Sequence, residues 1–144
     1  MAVKAIPEGY HSVTPSLVVK GAAKLIDFVK EAFGAEEAFR MPGPTGEIVH
    51  AEVKIGDSVV MLNDVMQQSP TTSSLFLYVT DVDRVYQRAL KAGATSLSEP
   101  ANMFWGDRMA QVKDEFGNQW SIATHVEDVP PQEMQKRAEA AMRQ

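Results

Sequence analysis

Three kinds of residue in this chain could do chemistry, and each sits in a short run. The first is a pair, His50 and Glu52, in "EIVHAEVKI" (47–55). An extended chain points alternate side chains to opposite faces, so residues two apart stand side by side. An imidazole titrating near neutrality beside a carboxylate suits a general base held by that carboxylate, or a polar anchor for a ligand. It equally suits a solvated, hydrogen-bonded couple on a half-exposed strand, and both readings stay open. The second kind is aromatic: Phe76 and Tyr78 in "SLFLYVT" (74–80), and Phe104 with Trp105 in "ANMFWG" (101–106). Aromatic walls suit flat, weakly polar ligands, although Phe104 and Trp105 could also plug a core. The third is Arg108, which either pairs with its neighbour Asp107 to fix a loop or meets an anionic ligand. The other histidines, His11 and His125, stand at strand ends and read as surface groups; either could also join His50 and Glu52 in a metal site.

These residues need elements to hold them. "HSVTPSLVV" (11–19) reads as a strand, and "GAAKLIDFVKEAFGA" (21–35) as an amphipathic helix stopped by Gly34. "EEAFR" (36–40) is a short strand, and "EIVHAEVKI" and "SVVML" (58–62) flank a Gly-Asp turn as a hairpin. Residues 63–73, "NDVMQQSPTTS", read as a polar linker. The order then restarts: strand 74–80, helix 81–94 with Asp81 as N-cap, strand 95–100, and "DRMAQVK" and "QWSIATH" around a turn at 114–118. The tail from 130 to 144 begins with Pro and continues as a helix with a narrow apolar stripe at Met134, Ala138, Ala141 and Met142.

The two halves match residue by residue. Val19 and Val79, Leu25 and Val85, Ala32 and Ala92, and Gly46 and Gly106 are each 60 apart, while Gly56 and Gly117 are 61 apart. Two copies of a β-α-β-β-β unit point to a pseudo-twofold α+β fold and away from a solenoid. On this numbering Arg108, Ala110 and Val112 take the places of Ile48, His50 and Glu52. Alternation puts Val49, Ala51, Val53 and Ile55 under a helix and turns Ile48, His50, Glu52 and Lys54 the other way. Trp120 and Ile122 read as core, opposite Ser121.

Composition bounds the function. The 144 residues carry a formal net charge of -5, with no basic cluster of the kind nucleic acid requires. There is no cysteine, which excludes disulfides, thiol catalysis and thiolate metal sites. The N-terminus lacks an apolar signal core and no run is long enough to span a membrane, so a cytoplasmic location is expected.

The paired units, "KLIDFVKEAFGA", "HAEVKIGDSVVML" and "DEFGNQWSIATH" together resemble the vicinal oxygen chelate superfamily. It includes glyoxalase I, bleomycin- and fosfomycin-resistance proteins and extradiol dioxygenases. The likeness is strongest to its PhnB-like, glyoxalase-related branch and covers about residues 10–128. It implies two modules (10–66 and 73–128) and a helical tail (129–144) in one domain. Their cupped eight-stranded sheet would have helices on the convex face and a ligand in the concave one. It also implies a homodimer, sometimes with exchanged modules.

Active members hold a divalent metal in the cup. The positions that match their ligands are Thr14, Val60 or Met61, Ser74 and Ser121, none of them His, Asp or Glu. Such a site needs three or four His or carboxylate ligands. The expectation is therefore a small-molecule-binding protein without a metal or other cofactor. Phe76, Tyr78, Phe104, Trp105, Arg108 and Ser121 would contact the ligand. The alternative is a glyoxalase-type lyase or isomerase with His50 as base and Glu52 as its orienter. A third possibility is an interaction module that works as a dimer. Neither nucleic acid nor membrane is an expected partner.

Overall fold

The computed structural model describes residues 3–66 and 70–143. The linker expected at 63–73 thus lies partly outside the described residues. The chain divides into two compact units, Met1–Ser73 and Ser74–Gln144. The first holds β1 (Ser16–Val19), α1 (Ala22–Phe33), β2 (Glu36–Pro42), β3 (Ile48–Ile55) and β4 (Ser58–Asp64). The second holds β5 (Ser74–Tyr78), α2 (Val82–Lys91), β6 (Thr95–Asn102), β7 (Asp107–Lys113), β8 (Gln119–His125) and α3 (Pro131–Met142). Each unit forms one four-stranded mixed sheet, ordered β1-β4-β3-β2 and β5-β8-β7-β6. The first and last strands of each unit run parallel, and the other pairs are antiparallel. The fold is α+β, with the repeated β-α-β-β-β module that the sequence implies.

The helix on each sheet is set by apolar spacing. Ala22, Leu25, Ile26, Val29 and Ala32 are buried on α1, facing a sheet side that buries Ala51, Val53, Val60 and Leu62. Replacing a fully buried leucine such as Leu25 by alanine would cost about 2–5 kcal/mol. Gly34, at φ 68°, ends α1 in the left-handed conformation that suits glycine. The start of α1 is capped from a distance. Gly21 N and Ala22 N each donate to Asp64 Oδ1 at 2.8 Å, and Ile48 N donates to Oδ2 at 2.7 Å. Burial pushes the Asp64 carboxyl up, but these three N–H groups outweigh it and hold it below its usual range. In the second unit Thr124, also near the end of its last strand, takes a related role. Its hydroxyl accepts from Val82 N at 2.9 Å and donates to Val79 O at 2.9 Å.

The register corrects one expectation. In β3, Met41 faces His50 and Pro42 faces Ile48, so Val49 is an extra residue in a bulge. Ile48 is therefore buried and Val49 only half-buried, the reverse of simple alternation. Between equivalent ladder pairs, Val112 to Trp120 against Val53 to Val60, the β7–β8 connection is one residue longer and restores the count. Structural equivalence follows from the ladders. Val53 pairs with Val60 as Val112 pairs with Trp120, and Glu52 pairs with Met61 as Gln111 pairs with Ser121. Ala110 and Val112 are accordingly fully buried, and Met109 and Gln111 stand where His50 and Glu52 stand in the first unit.

"DEFGNQW" is a folding device. Asp114, almost fully buried, accepts from Phe116 N and Asn118 N on Oδ1, at 2.9 and 3.0 Å. Its Oδ2 accepts from Asn118 Nδ2 at 3.1 Å and from the Trp120 indole at 2.9 Å. The carboxylate closes the turn and fixes the largest core side chain at once. α3 buries no residue; Met134 and Ala138 are half-buried, and Ala141 and Met142 are exposed. Its attachment is polar, through Arg137, which donates to Phe104 O at 3.1 Å and bidentately to Glu127 at 2.9 Å.

Candidate functional site

In the second unit, side chains from three elements converge on Asp107. This carboxylate is 2% exposed and accepts from three side chains. Tyr78 Oη donates to Oδ2 at 2.8 Å, Trp105 Nε1 donates to Oδ2 at 3.0 Å, and His125 Nδ1 lies 2.9 Å from Oδ1. Three elements supply these groups. β5 brings Tyr78, the turn between β6 and β7 brings Trp105, and β8 brings His125, which pairs directly with Asp107 in the ladder. The turn is tied by Met103 N to Asp107 O at 2.7 Å and by Gly106 N to Met103 O at 3.1 Å. At Gly106, φ is 101° and an added Cβ would collide with the carbonyl of Glu127, so only glycine fits.

Burial pushes the Asp107 carboxyl up, but the bonds from His125, Tyr78 and Trp105, with the imidazolium charge, win and hold it below its usual range. The hydrogen bond to Asp107, then the one to Asp128, raises His125 above its ordinary value. The Asp107 bond likewise raises the Tyr78 phenol.

Phe76, Tyr78 and Ser121 share the sheet face turned away from α2. Phe76 pairs with Ser121, and Tyr78 with Ala123. The two rings lie 5.1 Å apart between centroids, and they are 49% and 64% exposed. Ser121 is nearly buried and accepts from Gln111 Nε2 at 3.0 Å. Phe104 meets Trp105 edge-on at 5.0 Å. Thus Phe76, Tyr78 and Ser121 come together on this face, and Asp107 ties Trp105, with Phe104 beside it, to Tyr78.

Arg108 does not join them. It pairs with Thr124 in the ladder, on the α2 side, and its guanidinium grips Asp83 bidentately at 2.9 and 3.0 Å. The expected alternative of an Asp107–Arg108 pair is also overturned, since Asp107 points to the opposite face and holds His125. Adjacent strand residues diverge by geometry, so a neighbouring acid and base in a strand cannot readily pair across it.

In the first unit, His50 Nε2 lies 2.9 Å from Glu52 Oε2, on the face turned away from α1. The hydroxyl of Tyr10, from the lead-in, donates to the other carboxylate oxygen of Glu52. Phe39 lies 6.1 Å from His50 between ring centroids. The pair is real, and it has an aromatic neighbour and a phenol that the sequence did not suggest.

Of the residues gathered here, the sequence does not single out Gln111, and it presents Asp107 only as a partner for Arg108 and His125 only as a strand-end group or a metal ligand. Their signal was present in the turn. Counting outward from 114–118 puts 111 opposite 121 and 107 opposite 125, which is the ladder observed. Tyr10 had no such signal, because it precedes the first strand.

The family's divalent metal does not fit the donors present. The positions that the resemblance matches carry Thr14, Val60 or Met61, Ser74 and Ser121, which offer hydroxyls and, at most, a thioether. Among the described residues, no group of three or more His, Asp or Glu side chains could hold a metal ion. His125 spends both ring nitrogens on carboxylates.

Comparison with known proteins places this geometry. An uncharacterised protein of Mycobacterium bovis, Mb0911c, is 43% identical over 136 residues, covering 86% of this chain and 90% of that protein. Its Mycobacterium tuberculosis counterpart, Rv0887c, is also 43% identical and is covered over 80% of its length. TioX from Micromonospora sp. ML1 has a similar structure, with TM-score 0.68 and 23% identity over 83% of this chain and 100% of that one. The PhnB protein from Bacillus cereus superposes with TM-score 0.65 at 17% identity, over 79% of this chain and 99% of that one. At these identities the two structures speak for the fold alone. Residues 10–122 match the Glyoxalase/Bleomycin resistance protein/Dioxygenase superfamily, and the chain belongs to that superfamily.

Proposed function

We propose that this protein binds a small, flat organic molecule on the Phe76–Tyr78 face of its second sheet, without the divalent metal of its catalytic relatives. The observation that carries this reading is the exposure of two touching aromatic rings beside the buried Ser121 and its half-buried partner Gln111. Aromatic side chains left in water on a strand are a surface that a flat ligand can cover, while Ser121, Gln111 and the Asp107 cluster would orient it. Trp105 and Phe104 would border the ligand from the adjoining turn. The donor set argues against a bound metal as the ligand's anchor. The protein would work as a cytoplasmic homodimer, with neither nucleic acid nor membrane as partner; the charge of -5 supports the former. Among the described residues, no helix is long and apolar enough to cross a membrane.

The test is a small-molecule panel read by Trp105 fluorescence and by amide shifts. Phe76→Ala and Tyr78→Ala should each weaken a hit by about tenfold, the order expected for a lost aromatic contact. Binding that ignores both changes, or about one zinc, nickel or manganese per chain in purified protein, would sink the reading. Light scattering would show a dimer, and a monomer at micromolar concentration would remove that element.

A second reading rests on the His50–Glu52 bond at 2.9 Å. Here the protein is a glyoxalase-type lyase or isomerase, His50 takes the substrate proton and Glu52 orients the ring. A pH–rate profile whose imidazole limb disappears in His50→Ala would support it; unchanged turnover in that variant would end it.

A further inference from the structure

We infer that the ligand of the Phe76–Tyr78 face is an aromatic carboxylate, and that its carboxylate takes the place on His125 now held by Asp128. The inference rests on the proposed binding face and adds the ligand's charge and its anchor.

Asp107 is ionised and nearly buried, so it accepts a hydrogen bond from His125 Nδ1–H. That bond fixes the ring and turns Nε2 outward. There, Asp128 Oδ1 lies 2.7 Å from Nε2. Asp128 reaches back three residues from the segment that leaves β8, and its side chain is fully exposed. Such a bond is a charge-assisted contact between imidazolium and carboxylate, made from solvent. An exposed ion pair of this kind contributes little net free energy, so a free carboxylate can exchange with it.

His125 also borders a shallow, open depression of about 510 Å³, lined with it by Tyr78, Val79, Thr80 and Thr124. Tyr78 is shared between the depression and the aromatic pair, so a ligand anchored at His125 meets that pair through Tyr78. Asp128 then acts as an internal competitor that covers the anchor when no ligand is present.

The groups facing His125 fix the pH dependence. Asp107 from β7 and Asp128 from the following segment are anionic, while Tyr78 and Trp105 are neutral donors to Asp107. The neighbouring Glu127 is committed to Arg137. Only protonated His125 offers an N–H at Nε2 while Nδ1–H is given to Asp107. A neutral ring would present a lone pair to the ligand. Carboxylate binding is therefore present at low pH and lost as pH rises through the elevated pKa of His125.

The test is a nuclear magnetic resonance titration of the full chain with benzoate and with benzamide, its uncharged counterpart. Benzoate should shift the His125, Tyr78 and Phe76 signals at about pH 6 and fail to do so at about pH 9. Asp128→Asn, which removes the competing charge and keeps His125, should tighten benzoate about two- to fivefold and leave benzamide unchanged. His125→Gln should abolish the preference for benzoate. Equal binding of benzoate and benzamide in both the parent and Asp128→Asn would overturn the carboxylate inference and leave the flat-ligand reading standing. Shifts confined to other residues, or no shifts with either compound, would overturn both.

Discussion

Asp107 and His125 depend on each other, and they do so in opposite directions of pH. The carboxyl of Asp107 is held low in the fold, so its stabilisation is present above about pH 4 and lost as pH falls through the folded value. His125 is held high, so its stabilisation is full below about pH 6.5 and lost as pH rises through its folded pKa. The pair should therefore contribute most in the window between the two. Urea unfolding of parent and His125→Gln across pH should show the largest stability difference there and convergence at both ends; a flat difference would contradict the linkage. Asp107→Asn should lower the His125 pKa toward its ordinary value and cost about 1–3 kcal/mol, because three donors lose a charged acceptor. Carbon-detected histidine titration and urea melts read the two effects separately. His50 and Glu52 were legible as a pair from their spacing alone. Asp107 was obscured by Arg108 next to it, since a sequence shows adjacency along the chain and not which face of a strand a residue takes.

At the scale of elements, the turns and caps carry much of the specificity. Asp114 accepts four hydrogen bonds from within the β7–β8 turn and from Trp120. Asp114→Ala should destabilise the protein by about 3–5 kcal/mol, because several buried donors lose their acceptor together. Near-ultraviolet circular dichroism should report loosened packing around Trp120. A loss under about 1 kcal/mol would show that water replaces the carboxylate at little cost. Asp64 caps α1 from β4 with three accepted N–H bonds, so Asp64→Ala should shift the melting point down more than removing the local cap Asp81, whose side chain accepts from Arg84 N at 3.2 Å. Calorimetry of both variants decides this. β7 and β8 were legible to the residue, because a Gly-containing turn and alternating side chains fix both ends. The bulge at Val49 was not. It arises from pairing with β2, a contact between strands that no local pattern in β3 records, and it is what displaced Ala110 and Val112 from the face assigned to them.

At the scale of the molecule, the repeat in the sequence is a repeat of topology. Spacings of 60 residues announced it, and the strand orders β1-β4-β3-β2 and β5-β8-β7-β6 match term for term. The ligand was not legible in the same way, because this fold offers a face and leaves the chemistry to a few side chains on it. The two inner strands of each sheet are bonded on both edges. Hydrogen–deuterium exchange should accordingly find two slow cores, one in β3 and β4 and one in β7 and β8, with faster exchange in β1, β2, β5 and β6. A single slow core in one half would show that the halves are unequal in stability. The strand pairing also has a bearing on how the chain is made. Among the described residues, every ladder of the first half closes between Ser16 and Asp64, and none waits for a strand beyond Ser74. On a ribosome, β4 is therefore free to insert beside β1 once Asp64 has emerged, before Ser74 follows it out. The strand that shuts each sheet is also the one that brings the helix cap, Asp64 or Thr124, so one element ties down both the edge strand and the start of the helix.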